Sequence, residues 1–215
     1  MKYFILLSSL VLISTANSAT IYIDFGGSDH TGNWNGIAST NVHTVSNLID
    51  STGANTGYAL SITNDFSGVN GNGTTSGGPY PGFATDDSHY GQSTNPAAAF
   101  QLQNLDPSKL YTLTFYGSRM SVSDNRETEY TVTGDGASQV LLLDVANNVT
   151  ETISTTTITP TAGGIITVDL QEGPNNTNSS GFFYIGALEI NVVPEPSTAL
   201  LSLALPALLL RRRRN

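Results

Sequence analysis

The chain has 215 residues, enough for one well-cored domain, and contains no cysteine. The lack of cysteine excludes disulfides, thiolate metal sites and a cysteine nucleophile. Between residues 20 and 194, three lysines and arginines stand against sixteen aspartates and glutamates, a formal charge of about −13. Because such a surface repels a phosphate backbone, we expect no nucleic-acid partner.

The first 19 residues have the pattern of a secretory signal peptide. Lys2 supplies a positive charge, residues 3–13 are mostly apolar, and small residues follow in Ser14–Ala19. Cleavage after Ser18 or after Ala19 leaves small residues near the bond, and the pattern does not choose between them. Residues 1–19 are therefore predicted to direct export.

Most of the chain that follows has the period of β-strands. Short runs rich in Thr, Val, Ile and Tyr are bounded by Gly, Asn, Pro and Asp, which predicts a single antiparallel β-sandwich over residues 20–192. A short helix is suggested only by residues 42–50. The predicted strands are residues 21–25, 111–116, 129–133, 139–145, 150–158, 165–170 and 182–192.

The segment from Asn64 to Asn95 is too long for a hairpin connection and is dense in Gly, Asn, Ser and Asp. Long connections of this kind are usually functional or mobile. Its four aromatic residues give it something to bury, so we expect an ordered but irregular structure.

Aromatic residues set among Asn and Asp indicate a binding surface for a sugar. The apolar face of a sugar ring packs on an aromatic ring, while amides and carboxylates hydrogen-bond to its hydroxyls. Trp34 has an asparagine on each side, and the alternative is that this single tryptophan simply packs in the core. The predicted ligand-binding residues are Trp34, Asn35, Tyr80, Asp86, Asp87 and Tyr90.

Catalytic patterns are weak, and no catalytic residue is assigned. The chain has no Gly-x-Ser-x-Gly elbow, and its histidines are not paired at ligand spacing. Asp29-His30 and the stretch from Asp86 to His89 form possible acid–base neighbours. The alternative function is a secreted polysaccharide hydrolase that uses Asp86 and Asp87.

Three further sets of charged or polar residues have competing interpretations. Glu127 and Glu129 lie on one face of a predicted strand. They could form a pair of catalytic carboxylates for glycoside hydrolysis, or they are solvated or paired with Arg119 and Arg126. Arg119 and Arg126 are expected to form internal salt bridges that hold residues 120–125. No cofactor is predicted, apart from a structural calcium ion whose ligands would come from Asp24, Asp65, Asn70, Asn72, Asp86, Asp87 and Asp124.

The last 23 residues combine three different elements. Pro194, Glu195 and Pro196 resist helix formation, so a protease can bind them as an extended strand. Residues 197–210 are mainly apolar, but as a helix they would cover roughly 21 Å, less than the roughly 30 Å hydrocarbon core. A cytoplasmic stop-transfer cluster follows in Arg211, Arg212, Arg213 and Arg214.

The order of these elements resembles the PEP-CTERM sorting signal of Gram-negative bacteria. The resemblance assigns residues 193–215 to sorting and implies recognition by an exosortase, a membrane transpeptidase-like protease. It further implies transient association with the inner membrane through the apolar helix, then release to the cell surface or extracellular space. Proteins of this class are often associated with exopolysaccharide or biofilm.

The central region has a second resemblance, carried by "FQLQNLDPSKLYTLTFYGSR", "NRETEYTVTG", "TPTAGGIITVDLQEG" and "FFYIGALEI". These stretches are similar to the galactose-binding-like sandwich modules of bacterial extracellular proteins. The similarity implies a jelly-roll β-sandwich related to carbohydrate-binding modules. Together the two resemblances suggest a non-enzymatic surface or matrix protein with weak glycan binding, or a purely structural matrix protein.

Overall fold

A computed structural model describes residues 20–27 and 31–193. The predicted signal peptide, the Pro-Glu-Pro motif, the apolar run, the four arginines and the Asp29-His30 pair lie outside these residues. Within the described ranges no helix is long and apolar enough to cross a membrane. The described chain contains fourteen strands and one short 3₁₀ helix, Gly82–Ala84.

The strands are β1 (Thr20–Asp24), β2 (Trp34–Gly36), β3 (His43–Ser46), β4 (Ala59–Asn64), β5 (Gly68–Asn70), β6 (Ser88–Gly91) and β7 (Ala97–Gln103). The second half contains β8 (Leu110–Tyr116), β9 (Glu127–Thr133), β10 (Gln139–Asp144), β11 (Ile153–Ser154), β12 (Ile166–Glu172), β13 (Phe183–Ile185) and β14 (Ala187–Val193).

Two main sheets form the sandwich. One has the strand order β11-β8-β14-β1-β2, and the other β10-β9-β12-β7-β4-β3. All pairs are antiparallel except β1 with β2, which are parallel. The predicted all-β antiparallel sandwich is confirmed.

The core is built by period-2 alternation, which sends successive side chains to opposite faces of a sheet. On β8, Tyr111, Leu113 and Phe115 are fully buried, while the intervening threonines are partly exposed. Phe115 and Tyr130 stack across the two sheets with ring centroids 4.6 Å apart. Burial of each such large side chain contributes about 2 kcal/mol to folding.

A third, smaller sheet has the order β13-β6-β5. Gly91 at the end of β6 allows the buried Phe183 ring to lie against the backbone, because a Cβ there would be 1.9 Å from Phe183 Cζ. This sheet gives regular structure to part of the segment from Asn64 to Asn95. The expectation of order in that segment is met, but the segment contains two strands and the 3₁₀ helix.

The structure corrects three predicted elements. Residues 42–50 are not helical: they contain β3, in which Val45 packs against the core and pairs with Leu60. The run 150–158 contributes only Ile153–Ser154 as a strand. The run 182–192 is divided at Gly186, which donates to Tyr116 O and accepts from Phe25 N where the chain passes from the third sheet to the first.

Candidate functional site

The first candidate surface is an aromatic groove lined by Tyr22, Trp34 and Phe83, with Tyr80 packed against two of these rings. Tyr22 and Trp34 are partners on the neighbouring strands β1 and β2. Because Ile21 and Ile23 point into the core, Tyr22 lies on the outer face of the sheet. Its ring stacks on Trp34 with centroids 4.9 Å apart.

Tyr80 and Phe83 reach this face from the connection between β5 and β6. Each ring lies 5.6 Å from Trp34 in an edge-to-face arrangement. The Tyr80 hydroxyl donates to Glu189 at 3.1 Å. Burial, with the Glu189 charge second, raises the pKa of Tyr80, so this hydroxyl stays protonated and keeps its donor role.

The groove is open to solvent and has a volume of about 470 Å³, within the usual range for small-molecule sites. Trp34 is only partly buried and does not belong to the core. At the rim, the exposed Asn33 amide donates to the carbonyl of Ser51 at 2.9 Å. The lining residues are Tyr22, Thr31, Gly32, Asn33, Trp34, Ser51, Pro81 and Phe83.

The structure separates the ligand-binding residues predicted from sequence. Trp34 lines the aromatic groove and the Tyr80 ring packs against it, whereas Tyr90 lies in a different cleft. Asn35 is buried, and its side chain bonds to the backbone of the fold. Its amide nitrogen donates to the carbonyls of Tyr22 and Ile49, and its amide oxygen accepts from the Ile49 N–H.

The two predicted aspartates, Asp86 and Asp87, are partly buried and line neither the aromatic groove nor the cleft that contains Tyr90. Asp87 accepts a hydrogen bond from the backbone of Gly27, and Gly26 has no space for a side chain because the Asp87 carboxyl fills it. Asp86 is partly buried beside it in the chain, and its backbone carbonyl accepts from Gly73 N–H.

The second candidate surface is an arginine cleft of about 270 Å³ beside the third sheet. Arg126 is nearly buried, with 9% of its surface exposed. It donates to Asp124 at 2.9 Å and to the Tyr184 hydroxyl at 2.6 Å, and its guanidinium carbon lies 5.1 Å from the centre of the Phe182 ring. The lining residues are Val69, Asn70, Gly71, Asn72, Tyr90, Arg119, Arg126, Phe182 and Tyr184.

Arg119 lines the same cleft but is held differently. It is partly exposed and donates to the Met120 carbonyl. Burial raises the pKa of Tyr184, while the guanidinium groups of Arg126 and Arg119 act in the opposite direction. Both cations therefore act on one phenol hydroxyl.

The expected pair of salt bridges to residues 120–125 is only half correct. Arg126 pairs with Asp124, but among the described residues Arg119 forms no ion pair. Sequence reasoning also missed Phe182 and Tyr184 as cleft residues, because both fall in a run that reads simply as a strand. The available signal was that two of the three central cations lie only seven residues apart.

The other residues considered for catalysis, His89, Glu127 and Glu129, make contacts that stabilise the fold. His89 is fully buried, and its ring packs against Phe25 and Phe66. Glu127 accepts from the backbone and side-chain amides of Asn175, and Glu129 accepts from Gln171.

The residues considered for calcium are similarly divided between different parts of the fold. Asp124 is paired with Arg126, and Asn70 donates to the Ser88 hydroxyl at 3.1 Å. Over residues 20–27 and 31–193, no group of three or more histidines and carboxylates could hold a metal ion. A structural calcium ion stays a prediction.

Comparison with known proteins places the fold but not the activity. No family model matches the chain, and no curated protein matches it. The ectodomain of ANX2 from Arabidopsis thaliana matches with a TM-score of 0.51 and 9% identity, over 83% of this chain and 50% of that chain. A structure of the plant receptor-like kinase ANX2 gives 0.52 and 9%, over 83% and 49%.

The chain thus spans about half the length of these solved structures, and at such identity the likeness shows a shared fold alone. A structure of TmCBM61 in complex with beta-1,4-galactotriose matches with a TM-score of 0.34 and 10% identity, over 63% of this chain and 88% of that chain. A similarity of that degree transfers no ligand.

Proposed function

We propose that this protein is an exported, non-enzymatic module of the cell surface or extracellular matrix that binds a neutral glycan in the aromatic groove. The observation that carries the proposal is the partly exposed ring of Trp34 in an open groove with Tyr22 and Phe83. A tryptophan that only packed in the core would be buried and would not line a groove that is open to solvent.

The geometry of the groove suits a sugar better than a purely apolar ligand. Flat aromatic rings can cover the C–H face of a pyranose, while Asn33 and Ser51 at the rim can hydrogen-bond to its hydroxyls. The groove is open to solvent, and ring–ring contacts hold its aromatic residues in position. These features support a role in binding.

The experiment is titration calorimetry of the full chain, purified in mild detergent, with neutral tetrasaccharides of β-linked glucose, galactose or mannose. Trp34 is the only tryptophan, so a ligand in the groove should also change its fluorescence. We expect Trp34→Ala to weaken binding about tenfold or more, as for a tryptophan at the centre of an interface. Trp34→Phe should retain much of the affinity because it keeps an aromatic face.

Leu142→Ala is the matched control, because Leu142 is 38% exposed on β10, outside the groove. It should leave affinity unchanged. If no neutral tetrasaccharide binds, or if Trp34→Ala binds as well as the wild type, the groove is not a glycan site.

The proposal includes sorting through the predicted PEP-CTERM tail. Support comes from the order of Pro194-Glu195-Pro196, an apolar run and four arginines. The test replaces Pro194, Glu195 and Pro196 by alanine in a host that contains an exosortase. The variant should accumulate uncleaved in the inner membrane, whereas the wild-type chain should be shortened and released; equal release of both would remove this part of the proposal.

A further inference from the structure

The arginine cleft concentrates positive charge in a strongly acidic domain. Residues 20–194 contain only three lysines and arginines, and two of them, Arg119 and Arg126, line this one cleft. Asp124 is the single carboxylate paired with either of them among the described residues. Two like charges close to one hydroxyl repel each other, so the arrangement favours a bound anion.

The residues that line the cleft indicate which kind of molecule bears the anionic group. A guanidinium group presents a planar fork of N–H donors that matches a carboxylate. Around the two arginines lie the rings of Tyr90, Phe182 and Tyr184, and the side chains of Asn70 and Asn72 complete the lining. Aromatic faces with amide groups are suited to a sugar ring, not to a bare inorganic ion.

The size and the surrounding charge narrow the ligand further. A cleft of about 270 Å³ is smaller than most drug-sized sites and fits a single sugar residue. The formal charge of about −13 on residues 20–194 as a whole opposes a densely charged polyanion. The favoured partner therefore carries its carboxylates singly, among neutral sugars.

We infer that the arginine cleft is a second glycan subsite, which binds the carboxylate of an isolated uronic acid residue in an otherwise neutral polysaccharide through Arg119 and Arg126. The inference rests on the proposed glycan-binding function only in taking the ligand to be a sugar. It uses no residue of the aromatic groove, so each site can fail without the other.

The test is calorimetry of the full chain with a trisaccharide that ends in one glucuronate, against its counterpart in which the carboxylate is reduced to a primary alcohol. We expect the reduced sugar to bind roughly tenfold to a hundredfold more weakly, the range for loss of a charge-assisted hydrogen bond. Arg119→Gln should produce a similar loss for the glucuronate ligand. Arg119→Lys should recover part of it, because it restores the charge but not the fork.

Arg119 is the residue of choice because it is partly exposed and forms no ion pair in the described chain, so its replacement should not unfold the protein. Lys109→Gln is the matched control: Lys109 is the third central cation and pairs with Asp106 at the surface. It should leave affinity unchanged. The two trisaccharides are also compared in Trp34→Ala, so that binding of their neutral sugars to the aromatic groove does not contribute, and the difference between them should persist.

Equal affinity for the two trisaccharides, or no loss in Arg119→Gln, would overturn the inference. Inorganic phosphate or an acidic peptide that binds as tightly as the glucuronate trisaccharide would show a general anion site and would also overturn it. Tighter binding of polygalacturonate than of the singly charged sugar would contradict the argument from domain charge. Loss of neutral-sugar binding alone, in Trp34→Ala, would bear only on the groove.

Discussion

The aromatic groove and the arginine cleft are both lined by aromatic rings, but they are held by different forces. In the groove, Tyr22, Trp34, Tyr80 and Phe83 position one another by ring packing, with one hydrogen bond from Tyr80 to Glu189. In the cleft, the nearly buried Arg126 is positioned by an ion pair, a phenol and a ring face.

The difference predicts different sensitivities. Ring packing at a partly exposed surface tolerates the loss of one member, because water can solvate what remains. A buried polar network does not, because removal of one group leaves its partners without hydrogen bonds. The cleft should therefore be the more fragile of the two in stability, and the groove the simpler one to remove without unfolding the protein.

The largest effect is expected from Gly91→Ala, which overfills the sheet beneath the cleft. The new Cβ would lie 1.9 Å from Phe183 Cζ, and Phe183 is fully buried. We expect a loss of about 3 kcal/mol in the free energy of unfolding, measured by urea titration. Gly71→Ala, where a Cβ meets nothing within 4 Å, should change it by less than about 0.5 kcal/mol.

A second variant makes this prediction specific to the Phe183 contact. Phe183→Leu combined with Gly91→Ala should be less destabilised than the sum of the two single changes. Strict additivity would mean that the cost arises elsewhere on β6.

The next effect concerns acid, and it arises from His89 on the same strand. Burial lowers the pKa of His89 to about 4, with repulsion from His43 as a smaller cause, against about 6.5 in the unfolded chain. The unfolded state therefore binds more protons, and the contribution to stability is complete above about pH 6.5 and declines as the pH falls towards 4. The loss over this window is up to about 3 kcal/mol.

Urea titrations at several pH values between 7 and 4 measure this decline. His89→Leu places an apolar side chain in the same apolar site and removes the titrating group. The free energy of unfolding of this variant should therefore change less between pH 7 and pH 4. A decline of the same size in His89→Leu would assign the pH dependence to other groups.

Arg126→Leu should cost about 2 kcal/mol in the free energy of unfolding. The change removes the Arg126 donor from the Tyr184 hydroxyl and from the Asp124 carboxylate, which keeps its hydrogen bond from Asn178. The pKa of Asp124 is held low first by its hydrogen bond from Arg126, so NMR titration should find it raised in the variant. An unshifted Asp124 would show that the ion pair is not formed in solution.

The smallest effect is expected from Trp34→Ala, at about 1 kcal/mol, because its ring is partly exposed and packs on other rings at the surface. The same variant should lose most of its affinity for a neutral glycan. A stability loss above about 3 kcal/mol would instead make Trp34 part of the structural core and would remove the contrast between the two surfaces.

How far the sequence anticipates this structure depends on whether a feature is local. The alternation of Thr with large apolar residues in residues 111–116 predicts β8 correctly, because side chains on a strand alternate whatever the strand pairs with. The short helix predicted over residues 42–50 is wrong, because in so short a run the apolar spacing does not separate the period of a helix from that of a strand such as β3.

Composition and pattern alone determined the acidic charge, the β class and the predicted sorting signals at the two ends. Only the tertiary structure decided that Trp34 joins Tyr80 while Tyr90 joins Arg126 and Phe182. Strand alternation is a property of neighbouring residues, whereas a binding surface gathers residues far apart in the chain. Strand register and the path of the segment from Asn64 to Asn95 determine which residues meet, and neither can be predicted from the local sequence pattern.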